Sequence, residues 1–145
     1  MKKQRAKPSR HYMSKDDLER LAQFRYRLRR YLRFSEEVTR RGGVTPLQYQ
    51  LMLQIKGFPG REWATVGELA ERLQAKHHGV VSLISRCEAA SLVKRSISRS
   101  DRRRVDVHLT RKGDKCLQHL AGLHRAELLS LQGQAAPDLT AFSGV

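Results

Sequence analysis

The stretch TVGELAERLQAKHHGVVSLISRC, residues 65–87, decides the fold. Thr65 with Glu68 three residues on is a capping-box start, and Leu69, Ala70 and Leu73 then share one face of a short helix. After a brief polar interval a second apolar period begins, with Val80, Leu83, Ile84 and Cys87 at i, i+3, i+4 and i+7. Two short helices joined by about three residues, the second with a polar leading face, make a helix-turn-helix. With Val80, Ile84 and Cys87 turned inward, Lys76, His77, His78, Val81, Ser82 and Ser85 face outward.

His77, His78 and Cys87 also raise the question of a metal. Neighbouring residues of a helix point about 100° apart, and Cys87 lies ~15 Å up the axis from His77. No His-x3-His or Cys-x2-Cys spacing accompanies them, so no metal site is expected. Cys87 and Cys116 are expected to be free thiols, not a disulfide.

Working outward, MKKQRAKPSR is a basic start poor in core residues, and residues 1–13 are expected to form a flexible arm. Residues 14–41 repeat leucines at helical spacing (Leu18, Leu21, Leu28, Leu32) behind Ser14 and Asp17, and Gly42-Gly43 ends them. TPLQYQLMLQIKG then has Thr45 as N-cap, Pro46 at the first helical position and Gln48 completing a capping box. Gly57, Pro59 and Gly60 close this second helix, and Glu62-Trp63-Ala64 is a short extended piece. After Cys87 the period changes from helical to alternating. VKRSIS and RVDVHLT read as strands, with Val105, Val107 and Leu109 on one face and the basic SRSDRR as the tip of their hairpin. Thr110 caps a last helix within 111–145, and Gly133, Pro137 and Gly144 mark a loose tail.

The fold class is therefore mostly α with a small β-hairpin wing: a winged helix-turn-helix over 45–110 between two long terminal helices. In a monomer Leu21, Phe24, Leu28, Leu117, Leu128, Leu129 and Leu131 would stay partly exposed. A two-fold homodimer that intertwines both ends would cover them, so the terminal helices read as dimerisation helices.

Composition bounds the partners. With 29 Lys+Arg against 14 Asp+Glu the formal net charge is +15, which points to nucleic acid or an anionic surface. No apolar run approaches the ~20 residues of a spanning helix, so a cytoplasmic protein without membrane partners is expected. Glu36-Glu37, the histidines and the cysteines form no nucleophile–base constellation, so neither enzymatic activity nor a cofactor is expected.

Two motifs carry a family resemblance. SRSDRRRVDVHLTRKG, residues 98–113, is close to the wing signature of the MarR family of bacterial transcription regulators, with Asp101, Arg103, Leu109, Thr110 and Gly113 at the matching positions. LAERLQAKHHGVVSLISRCEAASLV fits the same family's helix-turn-helix without a gap, and the resemblance covers about residues 14–133. It implies sequence-specific binding of double-stranded DNA at a pseudo-palindrome by a homodimer, repression as the usual outcome, and release by a small-molecule effector. Three positions depart from the family pattern. Ser91 stands where a left-handed cap favours Gly, Cys87 replaces a core Leu, and the first helix lacks the cysteine of peroxide-sensing members.

On this reading His77, His78, Ser82 and Ser85 meet base edges, and Lys76 and Arg86 meet phosphates. In the wing, Arg99, Arg102 and Arg103 contact DNA. Asp101, two residues before Arg103 on the same side of an extended segment, is expected to hold that guanidinium for the minor groove. Trp63, Tyr26 and Tyr49 are expected to line the effector cavity that the resemblance implies. A non-specific architectural nucleic-acid binder is the alternative that the charge alone allows.

Overall fold

The computed structural model describes residues 12–132, so the expected arm before residue 12 and the loose tail with Gly133, Pro137 and Gly144 lie outside the described residues. The chain runs α1 (Lys15–Arg41), α2 (Pro46–Lys56), β1 (Trp63–Thr65), α3 (Val66–Leu73), α4 (His77–Ala89), β2 (Val93–Ile97), β3 (Val105–Leu109) and α5 (Arg111–Gln132). The three strands form one antiparallel sheet in the order β1-β3-β2.

Local chemistry explains most boundaries. The Ser14 hydroxyl accepts from the Asp17 N–H at the start of α1, and both expected capping boxes close: Thr45 with Gln48 on α2, Thr65 with Glu68 on α3. Gly42 and Gly57 follow the last residues of α1 and α2 as expected. Thr110 accepts from the Gly113 N–H at 3.0 Å, so it caps α5.

α2 lies at the centre and touches the other four helices, β1 and β3. Its Leu51, Met52 and Ile55 are wholly buried, together with Leu69 of α3, Val80, Ile84 and Cys87 of α4, and Val107 of β3. Each such aliphatic side chain contributes about 1.5–3 kcal/mol by leaving water, which is why the helical stripe of α4 is reserved for the core. Leu117 is a correction: it is buried in this core at 2 % exposure, because the first turns of α5 pack on α2 before the helix leaves the domain. Leu28 and Leu131 are half-buried, whereas Leu21, Phe24, Leu128 and Leu129 are exposed as expected, joined by Leu18, Leu32 and Leu123.

His124 joins the terminal helices to α2. It is 3 % exposed, and its ring stacks on Tyr49 at 4.2 Å with Tyr31 and Phe34 edge-on. The Leu120 carbonyl can only accept, so Nδ1 donates to it at 2.7 Å, and Nε2 is hydrogen-bonded to the Ser35 hydroxyl at 2.8 Å. Burial, and then the neighbouring Tyr31, push the Tyr49 hydroxyl up to about 12, so it stays neutral in this cluster. The scattered histidines of the sequence give no hint of this cluster.

α4, the wing and α5 meet at Ser91 and Leu92. Ser91 has φ 61°, the left-handed conformation expected from its position, and the Leu92 carbonyl accepts from the Thr110 N–H at 3.0 Å. A Cβ on Gly113 would stand 2.0 Å from that carbonyl oxygen, which is backbone and cannot move aside. Opposite effects are expected from two substitutions here. Ser91→Gly should raise stability by about 0.5–1 kcal/mol, the relief of left-handed strain exceeding the entropy glycine adds to the unfolded chain. Gly113→Ala should cost several times that, on the order of 3 kcal/mol, by overpacking against backbone. Urea midpoints of the two variants check both signs.

Candidate nucleic-acid interface

α4 turns its buried stripe to α2 and α3 and leaves Lys76, His77, His78, Val81, Ser82, Ser85 and Arg86 exposed, as the periodicity requires. Lys76 is the N-cap and forms no side-chain cap, and the first turn contains no acid, so the leading N–H groups of α4 face outward beside a cation. Cys87 lies on the buried side with no exposed surface, so it does not meet His77 or His78. Among the described residues no group of three or more His, Cys, Asp or Glu is placed to hold a metal ion.

Ser85 has a different task from the one its outward position suggests. Arg95 of β2 donates to the Ser85 hydroxyl at 2.8 Å, and that hydroxyl donates to the Val81 carbonyl at 3.0 Å. Arg95 also pairs with Glu88 at 2.9 Å, so one guanidinium ties the wing to the outward side of α4. Both hydrogen-bonding roles of Ser85 are thus used inside the chain, while the Ser82 hydroxyl forms no hydrogen bond among the described residues.

At the wing tip Arg99, Asp101, Arg102 and Arg103 are all exposed. Asp101 is a correction: its carboxylate accepts from the backbone N–H of Arg103 at 2.9 Å, not from the guanidinium. A carboxylate two residues before a turn N–H closes an Asx-turn, which competes with reaching the side chain beyond. Asp101 therefore shapes the turn and leaves the Arg103 side chain directed by backbone alone.

The arginine held by a carboxylate is the next one. Arg104 donates to Asp106 at 2.9 Å and to the Ser98 hydroxyl at 2.9 Å, across the base of the hairpin. Its guanidinium lies 4.8 Å from the centre of the Trp63 ring, and that of Arg61 lies 3.9 Å from the same ring. Arg61 pairs in turn with Glu68, the residue that closes the capping box of α3. Asp106 is buried, so alternation fails on β3: the hairpin base is covered on both faces, by Val107 toward the core and by this ion pair on the other side. Trp63 belongs to this bracket. Tyr49 belongs to the His124 cluster, and Tyr26 is exposed on α1, so the three aromatics expected around one cavity stand in three separate surroundings.

Residues 42–104 match the sequence model of the MarR family. The HTH-type transcriptional repressor MdtR of Bacillus subtilis (strain 168) is 36% identical over 81 residues, 55% of this chain and 50% of the relative. Over these residues the chain is similar to the MarR family. That family consists of transcription regulators, not enzymes. The chain spans about half the length of the curated relative it matches. The MarR fold extends over nearly all of it. AbsC, a MarR family transcriptional regulator from Streptomyces coelicolor, superposes with a TM-score of 0.74 at 22% identity, covering 90% of this chain and 88% of AbsC. An S. aureus MepR variant bound to an oligodeoxyribonucleotide superposes with a TM-score of 0.63 at 20% identity, covering 78% of this chain and 81% of that one.

Two measurements test the geometry of this winged helix-turn-helix. Arg104→Met retains an apolar stem on Trp63 but strands the buried Asp106 carboxylate. It should lower stability by about 1–3 kcal/mol in urea, and Asp106→Asn on that background should recover part of the loss. Burial pushes the Cys87 thiol up to about 11, so it stays protonated near neutral pH and lacks the reactive thiolate. Maleimide labelling followed by peptide mass analysis should find Cys87 unmodified in native buffer and modified once urea unfolds the chain. Prompt native labelling would contradict its burial.

Proposed function

We propose that this chain is a sequence-specific transcriptional repressor that binds double-stranded DNA as a homodimer in the cytoplasm. The observation that carries the reading is the braced pair of α4 and wing. Lys76, His77, His78 and Ser82 are exposed along α4 and Arg99, Arg102 and Arg103 are exposed at the wing tip, while Arg95 and Arg104 fix the supporting frame. On this reading α4 enters a major groove, with His77, His78 and Ser82 at base edges and Lys76 and Arg86 at phosphates. Arg103 enters the adjacent minor groove, aimed by the turn that Asp101 closes. Ser85 acts through Arg95 instead of touching a base. Repression is supported by the name of the B. subtilis relative.

The homodimer is supported by the exposed apolar residues of both terminal helices, among them Leu18, Leu21 and Phe24 of α1 and Leu128 and Leu129 of α5. Two such protomers would present two α4 helices to successive major grooves of a pseudo-palindrome. A small-molecule effector would act on their spacing. The His124 cluster, which links α1, α2 and α5, is the joint through which a change at the terminal helices would reach the DNA-reading core. No helix among the described residues is long and apolar enough to cross a membrane.

The test is selection of bound duplexes from a random pool, followed by affinities at one fixed salt concentration. Wild type should enrich a pseudo-palindrome. Arg103→Ala should weaken binding to it by about fivefold or more, about 1–3 kcal/mol, with unchanged oligomeric state. Equal binding of selected and random duplex would convert the reading to non-specific architectural binding, the alternative that the net charge of +15 favours. Wild-type affinity in the Arg103 variant would remove the minor-groove role.

A further inference from the structure

α1 carries a second basic surface that the reading above leaves unused. From Arg20 to Ser35 the chain contains six arginines and no acid. Tyr26, Arg29, Arg30 and Arg33 stand at i, i+3, i+4 and i+7 and so form one continuous face. All four are exposed, Tyr26 at 56 %. That face lies roughly opposite the side of α1 that packs inward through Leu28, Tyr31, Ser35 and Thr39. The Arg30 guanidinium sits 5.8 Å above the Tyr26 ring, which holds it beside its neighbours.

Among the described residues no carboxylate pairs with the arginines of this face. Arg41, Arg61, Arg95 and Arg104 each pair with a carboxylate, whereas Arg29 and Arg33 form no ion pair among the described residues. Like charges at i, i+4 and i, i+3 weaken a helix by about 0.2–0.5 kcal/mol per pair, so the arrangement costs stability and returns none internally. An external polyanion would reverse that sign. The face extends ~10 Å along the axis at 1.5 Å per residue. Its three arginines span ~6 Å of that axis, over which each strand of a duplex presents about two phosphates at ~3.4 Å spacing. A membrane fits less well. A helix lying on lipid follows its charges with apolar side chains sunk into the acyl boundary, and the inward side of α1 is already packed against α2 and α5.

We propose that Tyr26, Arg29, Arg30 and Arg33 form a second docking surface for the phosphate backbone of duplex DNA, so that a molecule holding one duplex through α4 and the wing can hold another through α1. The inference rests on the reading of α4 and wing as the first surface, but neither element contributes to the second.

A two-duplex capture assay on the full chain tests it. The selected duplex is fixed to beads, the protein is bound, and a fluorescent random-sequence duplex is added at constant salt. Wild type should retain the fluorescent duplex. The triple variant Arg29→Glu, Arg30→Glu, Arg33→Glu should bind the beads as wild type does and retain at least tenfold less of the second duplex. Lysine at the same three positions should preserve most of it, because phosphate contact needs charge more than the guanidinium fork. Should three glutamates unfold α1, as read by helicity, glutamine at these positions carries the same expectation. No second duplex on wild type, or equal retention by the glutamate or glutamine variant, overturns the proposal. So does capture of wild type by phosphatidylserine vesicles without retention of a second duplex, which would assign the face to lipid. Failure of wild type to bind the bead duplex is read directly on the beads, and it removes the first surface and the proposal with it.

Discussion

The contact of Gly113 with the Leu92 carbonyl is the constraint from which the relative placement of α4, wing and α5 follows. α4 ends, turns through the left-handed Ser91, and enters β2 at once; β3 returns to the same point and passes into α5. Leu92 therefore serves three elements, its N–H donating to Cys87 and its carbonyl accepting from Thr110 while α5 crosses within van der Waals distance. The Thr110 hydroxyl donates to the Ser91 carbonyl and Lys112 donates to that of Ala90, so the free carbonyls at the end of α4 are satisfied by the start of α5. A side chain at residue 113 would separate these elements and shift the wing relative to α4.

Around that point the chain uses arginines in two ways. Arg61, Arg95 and Arg104 are structural: each is paired with a carboxylate, and two of them lie on the Trp63 ring. Between them they connect the start of α3, the outward side of α4 and the base of the hairpin. Surface ion pairs contribute little alone, but a buried carboxylate and a flat aromatic surface convert these into a directional brace. Arg99, Arg102 and Arg103 at the wing tip and Arg29 and Arg33 on α1 form no ion pair among the described residues, and they carry the charge that a phosphate backbone would neutralise. A braced frame with unpaired tips delivers charge at fixed positions, which lowers the entropy lost on binding.

The terminal helices are linked to this frame through a polar residue. His124 uses both ring nitrogens, one toward α5 itself and one toward Ser35 of α1, and stacks on Tyr49 of α2. Apolar packing alone tolerates sliding of one helix past another, whereas two directional bonds and a stacked ring define one register. The exposed leucines beyond it are arranged on helices whose orientation this cluster has already fixed.

The sequence by itself determined the elements and their order. Capping boxes at Thr45 and Thr65, the glycines after α1 and α2, the stripe of Val80, Leu83, Ile84 and Cys87, and the switch to alternation after Leu92 are all local signals, because they act through neighbours within one or two turns. The outward row of α4 and the exposed wing tip follow from the same periodicities, and the wing signature from Asp101 to Gly113 carried the family resemblance. Tertiary structure alone decided which groups meet. Asp101 went to a backbone N–H because an Asx-turn closes over two residues, and Arg104 is fixed because Ser98 comes opposite it only across a formed hairpin, adding a second partner to Asp106 two residues on. Trp63, Tyr49 and Tyr26 parted because strand, central helix and outer helix give equal-looking aromatics different neighbours. Ser85 and His124 found partners 10 and 89 residues away, beyond the reach of any local pattern.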